Sequence, residues 1–291
     1  MKRGFVPALG TPVDENGRLC RESYERQIEM MLDNGAVALL SMGSMGQQAF
    51  LANDVCTEVA ECAVRAAAGR VPVFVGAMDN SILRTKARIA AMEHIDLTAF
   101  VLLVPYYEID NDDQVVNYFR EVARSTSHGI IIYDLPPVTK YRISYDLLKR
   151  IKAEVPNLVG IKSANLNMLR LVKLNPEFEG FGTYYSGLDS FDIAYPWGIG
   201  CVLDGMPTCT PKNSRLMIEA MDRGDRLGAA VALNNIIELR DLLLELDLWP
   251  AYSAAMNLLG CEGRHAPDWI TPSSPEVVEK VRAEMEKIGE L

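Results

Sequence analysis

Short apolar runs recur along the 291-residue chain, separated by segments in which apolar residues return at helical spacing. Runs this short and this rich in branched residues predict buried strands, and the intervening spacing predicts amphipathic helices. The predicted strands cover 4–10, 36–43, 71–78, 98–105, 129–136, 158–164, 180–187 and 198–205. The predicted helices between them cover 21–34, 54–68, 81–94, 112–126, 144–154, 165–174 and 211–223.

Eight nearly continuous apolar strands that alternate with helices are typical of a parallel sheet covered on its outer face. Eight is also the strand number that closes a (β/α)8 TIM barrel, which is the α/β fold we expect. A doubly wound dinucleotide-binding sheet would favour a glycine-rich fingerprint after the first strand, and "FVPALGTPVDENG" has none. The chain also lacks a P-loop pattern.

Strand signals stop after residue 223. The remaining apolar segments, 224–246, 251–260 and 274–291, have helical spacing and are separated by prolines. We therefore expect a barrel domain over 1–223 and a C-terminal helical extension over 224–291.

Charge, hydropathy and cysteine usage exclude several classes of partner and location. The formal net charge of −10 disfavours nucleic acid and anionic membranes as partners. No apolar run approaches the roughly 18 residues of a membrane span, and prolines break the one candidate signal segment, "MKRGFVPALG". Six scattered cysteines without a C-x-x-C pair are typical of free thiols in a reducing compartment. These features predict a cytoplasmic protein that acts on a small molecule.

Catalytic residues of this fold lie at the carboxyl ends of the strands. The side chains at those ends are hydroxyls, tyrosines, carboxylates and one lysine: Thr11, Ser44, Asp79, Tyr106, Tyr107, Tyr133, Asp134, Lys162, Ser163, Asp189 and Asp204, with Gly187 beside them. All three histidines lie elsewhere, which disfavours a metal-dependent aldolase. The set favours Schiff-base chemistry, in which a neutral lysine amine attacks a keto carbon.

Strand alternation tests whether Lys162 and Tyr133 can meet. If Lys162 faces the barrel lumen, Val159 and Ile161 face the helices, and Tyr133 faces the same lumen from the neighbouring strand. A phenol beside the amine could transfer protons during catalysis. The alternatives are a lysine of the stability layer, or one at the rim with its ammonium in solvent, next to a structural tyrosine.

The stretch "GSMGQ" after the second strand is a candidate carboxylate site. Gly43 and Gly46 permit a tight turn that directs successive N–H groups into one concavity, with the Ser44 hydroxyl alongside. An ordinary glycine turn has the same pattern.

Together, "GSMGQ", "VPYY", "IIYDLP" and "GIKSA" resemble the dihydrodipicolinate synthase / N-acetylneuraminate lyase family of class I Schiff-base barrels, in order and spacing along essentially the whole chain. The resemblance implies that Lys162 forms the imine and that Tyr133 is the catalytic tyrosine. It implies that Gly43, Ser44, Met45 and Gly46 hold the pyruvate carboxylate. It also implies a homotetramer without metal or organic cofactor, in which Tyr107 reaches a neighbouring subunit's site.

Several positions depart from the family pattern. Met45 replaces the second hydroxyl of the turn, and Val138 stands where the synthases carry an arginine that clamps a carboxylate, although Lys140 or Arg142 could substitute. Asp189 matches an aspartate of the lyase branch and, with Gly187, is a candidate substrate contact. Asp204 has no family counterpart, and a cap or a substrate contact fits it equally.

We therefore expect a metal-independent lyase or aldolase that makes or breaks a C–C bond between pyruvate and an aldehyde, such as a 2-keto-3-deoxy sugar acid or an N-acetylneuraminate-like substrate. The alternatives are dehydration or decarboxylation of a keto-deoxy sugar acid, the dihydrodipicolinate synthase reaction, and a non-catalytic keto-acid-binding barrel.

Overall fold

A computed structural model describes residues 2–291, which form eight parallel strands in one sheet. The strands are β1 (Gly4–Pro7), β2 (Leu39–Ser41), β3 (Val73–Gly76), β4 (Ala99–Leu103), β5 (Gly129–Asp134), β6 (Leu158–Ser163), β7 (Gly182–Tyr185) and β8 (Cys201–Asp204). Each lies inside one of the eight apolar runs, so the predicted strands are confirmed.

The sheet closes into a barrel. β1 pairs with β8, and each later strand pairs with its sequence neighbour down to β2. The remaining seam, between β1 and β2, is bridged where the Leu9 N–H donates to the Leu40 carbonyl at 2.9 Å and the Val37 N–H donates to the Phe5 carbonyl at 3.1 Å. The predicted (β/α)8 barrel is confirmed.

Helices follow the strands in the predicted order. Within residues 2–291 they are α1 (Arg21–Asp33), α2 (Asn53–Ala67), α3 (Ile82–Met92), α4 (Asp112–Ala123), α5 (Pro136–Thr139), α6 (Tyr145–Glu154), α7 (Leu166–Leu174), α8 (Phe191–Ala194), α9 (Pro211–Asp222), α10 (Arg226–Glu245), α11 (Leu248–Leu258) and α12 (Pro275–Lys287). The one-turn helices α5 and α8 are too short to leave a periodic signal in the sequence.

The strands are apolar on both faces because each face packs into a separate hydrophobic core. One core fills the lumen and includes Val6, Leu40, Val101 and Leu203, and the other lies between the strands and the helices. Side chains therefore alternate between lumen and helix layer, as strand geometry requires.

The helical extension is confirmed as α10, α11 and α12. α10 packs along α9, and α12 contacts both α10 and α11. The predicted boundary at residue 223 lies in the turn between α9 and α10. None of the helices in residues 2–291 combines the length and apolar character needed to cross a membrane.

Candidate active site

Lys162 and Tyr133 face each other in the lumen at the carboxyl ends of β6 and β5. They are direct partners in the strand ladder, and both are about 95% or more buried. The Lys162 Nζ lies 3.9 Å from the centroid of the Tyr133 ring. Across residues 2–291, no carboxylate oxygen lies within ion-pair distance of this ammonium. The lysine is thus a luminal side chain beside a phenol, and the rim alternative is wrong.

The predicted alternation holds around this pair with one exception. Ile131 shares the luminal core with Tyr133, while Ile161 belongs to the helix-facing core. Val159, expected to face the helices, is 42% exposed. The ladder of β5 and β6 shifts register beside it, so Val159 is the extra residue of a bulge and leaves the helix-facing layer.

The residues that follow the pair on each strand lock its register. The Ser163 hydroxyl donates to the Asp134 carboxylate at 2.7 Å, and Asp134 also accepts the Ile143 N–H at 3.0 Å. Burial raises the pKa of Asp134 above the ordinary aspartate value. Because Asp134 and Ser163 are the next ladder partners, their bond holds Tyr133 opposite Lys162. Both belong to the strand-end side chains predicted from the sequence, but the alternation of side chains did not predict their bond.

The turn after β2 presents three consecutive unpaired donors. Within the described residues, the backbone N–H groups of Ser44, Met45 and Gly46 have no hydrogen-bond acceptor. The turn is flanked by two left-handed residues, Met42 at φ 53° and Gln47 at φ 59°. Successive free N–H groups in a tight turn are the donor set that binds a carboxylate.

Buried polar side chains anchor this turn to the end of β1. The Thr11 hydroxyl donates to the Gly46 carbonyl at 2.8 Å, and the Gln47 side chain donates to the Thr11 carbonyl at 2.9 Å. Gln27 of α1 in turn holds both backbone groups of Gly10, each at 3.0 Å. Gln27 lies on a helix remote in sequence, and its amphipathic spacing alone did not distinguish it.

Met45 and Asp204 are engaged in contacts within the protein. A side chain added at Gly205 would place its Cβ 2.4 Å from the Met45 Cγ, so Met45 packs directly on the backbone that follows β8. The Asp204 carboxylate accepts the Met206 N–H at 3.0 Å. A cap and a substrate contact were the two roles that fitted Asp204, and this hydrogen bond is that of a cap.

Gly187 and Asp189 lie at the end of β7. The Tyr185 ring covers Gly187, since an added Cβ there would lie 2.3 Å from the Tyr185 hydroxyl oxygen. Asp189 forms a bidentate ion pair with Arg240 of α10, both distances being 2.8 Å, and this guanidinium lowers the pKa of Asp189. The structure thus places Asp189 against the C-terminal extension, and its contact with substrate stays a prediction.

Tyr107 and the residues after β5 lie outside the lumen. Tyr107 is 86% exposed, with its backbone N–H held by the Asn80 side chain at 2.9 Å. Val138 is half-exposed on α5, and the Lys140 ammonium donates to the Pro137 carbonyl at 2.6 Å. In residues 2–291, no cluster of three His, Cys, Asp or Glu side chains is arranged to hold a metal ion.

The chain is similar to known proteins along its whole length. The sequence model of the dihydrodipicolinate synthetase family matches residues 1–288. A 4-hydroxy-tetrahydrodipicolinate synthase from Methylococcus capsulatus is 30% identical over 299 residues, covering 100% of both chains.

Solved structures give the same result. The dihydrodipicolinate synthase of Thermotoga maritima superposes with a TM-score of 0.89 at 25% identity, over 100% of each chain. The N-acetylneuraminate lyase of Proteus mirabilis gives 0.89 at 20% identity, covering 100% of this chain and 99% of that one, which is a likeness of fold.

Proposed function

The chain belongs to the dihydrodipicolinate synthetase family of class I Schiff-base enzymes, and on that basis we propose that it makes or breaks a C–C bond between pyruvate and an aldehyde. The observation that carries the proposal is the buried Lys162 ammonium, without a carboxylate partner in the described chain, 3.9 Å from the Tyr133 ring centroid. A lysine placed this way serves as the amine nucleophile of imine chemistry.

In the cleavage direction, the neutral Lys162 amine attacks the keto carbon of a 4-hydroxy-2-oxo acid, and water leaves to give an iminium. The N–H groups of Ser44, Met45 and Gly46 hold the carboxylate, with the Ser44 hydroxyl beside them. Tyr133 removes the proton of the 4-hydroxyl, the C3–C4 bond breaks, and its electron pair flows into the iminium. The resulting enamine is protonated at C3, and hydrolysis releases pyruvate and Lys162. Synthesis is the reverse.

Borohydride trapping tests the nucleophile. Incubation with pyruvate and sodium borohydride should leave a reduced adduct on the peptide that carries Lys162, read by peptide mass mapping. Lys162→Ala should abolish both adduct and turnover. Lys140→Ala is the matched control, because this exposed lysine is bound to the Pro137 carbonyl and should leave both unchanged. An adduct on another lysine, or turnover by Lys162→Ala, would contradict the mechanism.

The aldehyde partner is a separate question. Curated relatives at 28% and 30% identity are synthases, which supports the synthase reaction as a second candidate. Against it, Val138 cannot clamp a carboxylate and the Lys140 ammonium is engaged elsewhere. A screen of 4-hydroxy-2-oxo sugar acids separates the outcomes: pyruvate plus an aldehyde supports the lyase, and a deoxy-oxo acid without pyruvate indicates dehydration.

A homotetramer is part of the proposal, supported by the 86% exposure of Tyr107 at the catalytic end. In an oligomer this tyrosine would serve a neighbouring subunit's site. Refolding an equimolar mixture of Tyr107→Phe and Lys162→Ala subunits should therefore recover activity that both separate variants lack, because some sites combine an intact Lys162 with an intact Tyr107. Full activity of Tyr107→Phe alone, or a monomer in sedimentation, would contradict this role.

A further inference from the structure

A second cavity opens at the amino-terminal end of the barrel, opposite the candidate active site. Its volume is about 860 Å³, within the range of about 300–1,000 Å³ typical of small-molecule sites. Pro72 and Thr98 line it just before β3 and β4, and Gly182 lines it at the start of β7. Lys162 and Tyr133 lie at the other ends of their strands and do not line this cavity.

The sequence explains why this end is hollow. The first luminal positions of β4, β5 and β7 are Ala99, Gly129 and Gly182, and β6 places Gly160 in the same layer, so these four positions carry no side chain larger than a methyl group. The Val159 side chain, from the bulge of β6, lines the cavity beside Gly129. Barrels normally fill such a layer with bulky branched residues. The Tyr184 ring fills part of this space, since it lies over Gly160 and Gly182. The cavity is the space that remains.

Its inner wall is aromatic. Phe74 and Tyr184 meet edge to face, with ring centroids 5.2 Å apart, and both belong to the luminal core. Phe178 and Phe181 line the outer part of the cavity, again edge to face at 5.1 Å. A flat apolar or aromatic group would find matching surfaces on both sides.

Two cationic side chains of residues 2–291 line the cavity. Arg3 is held by Tyr195, with its guanidinium carbon 3.7 Å from the ring centroid and one nitrogen donating to the Tyr195 carbonyl at 2.7 Å. Lys173 comes from the last turn of α7. Neither forms an ion pair with any carboxylate that the structure describes. Glu179 is the one carboxylate among the described lining residues, so these residues carry a net positive charge in a protein whose net charge is −10.

We propose that this cavity is a second binding site, for an amphipathic organic anion with an aromatic or branched apolar body and one carboxylate or sulfonate group. The apolar body would lie against Phe74 and Tyr184, and the anionic group would face Lys173 and Arg3. Tyr184 is the ladder partner of Lys162, so a ligand here contacts the strand next to the catalytic lysine without entering the catalytic end.

The probe is 8-anilino-1-naphthalenesulfonate, which has this chemistry and reports apolar surroundings by fluorescence. We expect saturable binding at one site per chain. Lys173→Glu should weaken it about tenfold or more, because it reverses one of the two charges that face the sulfonate. Arg170→Glu, on the same helix but not part of the cavity lining, is the matched control and should change the affinity less than twofold.

Two further binding experiments test where the probe binds. Arg3→Met should also weaken binding, and thermal unfolding checks that the variant is folded. Enzyme whose Lys162 is blocked by pyruvate and borohydride should bind the probe as the untreated enzyme does. The proposal is overturned by unchanged affinity in both charge variants, by loss of binding after the block, or by the absence of saturable binding below about 1 mM. The first and last outcomes would leave the proposed catalytic function untouched.

Discussion

At the scale of single residues, the site depends on neighbours that carry no chemistry themselves. Asp134 and Ser163 follow Tyr133 and Lys162 in the strands and hydrogen-bond to each other at 2.7 Å in a buried layer. A buried carboxylate that loses one of its donors incurs a desolvation penalty. The bond therefore contributes both to stability and to the placement of the amine beside the phenol.

Ser163→Ala tests this contribution. We expect the free energy of unfolding to fall by about 1–3 kcal/mol, since the Ile143 N–H is then the one hydrogen-bond donor left to the buried Asp134 carboxylate among the described residues. Turnover should fall as well, with a smaller change in KM, because Ser163 is fully buried on the helix-facing side of β6, away from the lumen. Urea unfolding and steady-state kinetics measure the two effects. Ser125→Ala is the control, since it removes a hydroxyl that donates to the Val122 carbonyl far from the site and should leave turnover intact.

At the scale of elements, the loops at neighbouring strand ends support one another. The turn after β2 rests on the backbone after β8, where Met45 packs on Gly205. It also rests on β3, because an added Cβ at Gly76 would lie 1.8 Å from the Met42 carbonyl oxygen. Glycine at these two positions is required by close approach, and the turn's free N–H groups are positioned by both.

A double-mutant cycle on Met45 and Gly205 measures this support. Gly205→Ala should displace Met45 and the turn, and raise the KM for pyruvate, because the N–H groups of the turn move. Met45→Ala should remove the obstacle, so that the double variant regains much of the affinity lost in Gly205→Ala. Pyruvate-dependent borohydride inactivation gives the affinity of each protein. Strictly additive losses would show that the contact does not position the turn.

Sequence reasoning predicted the elements and the luminal pairing of Lys162 with Tyr133 for a physical reason. Strand alternation has a fixed period, so placing Lys162 and Tyr133 in the lumen leaves apolar residues at the helix-facing positions of both strands, which supports that placement. The bulge at Val159 was missed, because an inserted residue in a run of apolar side chains leaves no periodic mark. Contacts such as Asp189 with Arg240, or Gln27 with Gly10, join residues 51 and 17 positions apart and follow only from the three-dimensional fold.

At the scale of the whole molecule, the C-terminal region reaches the end of the barrel that carries the candidate active site. His265 is fully buried, and its Nδ1 lies 2.8 Å from the point where a Gly10 side chain would begin. Its Nε2 pairs with the Cys261 carbonyl at 2.8 Å, while Nδ1 has no partner among the described residues. Burial lowers the pKa of His265 from 6.5 to about 4.

This histidine predicts an acid-sensitive stability. The folded state favours neutral His265, so its contribution is fully present above about pH 6.5 and is lost as the pH falls towards 4. The lost free energy is about 3 kcal/mol, from the size of the pKa change. His265→Asn should be less stable at pH 7 but should show a flatter decline between pH 6.5 and 4 in urea unfolding. His94→Gln, at an exposed histidine, should keep the wild-type slope.

The contact between the C-terminal region and Gly10 limits how early the chain can fold during its synthesis. β1 is synthesised long before its ladder partner β8, which ends at Asp204. Tyr252 and His265, which pack against Gly10, are synthesised later still. A nascent chain must therefore keep β1 unpaired on one edge through some two hundred residues of synthesis. It also lacks the packing behind Gly10 and Thr11 until Tyr252 and His265 have emerged. Competence to bind the proposed keto acid should accordingly arise only after the segment that carries Tyr252 and His265 has emerged and the barrel has closed.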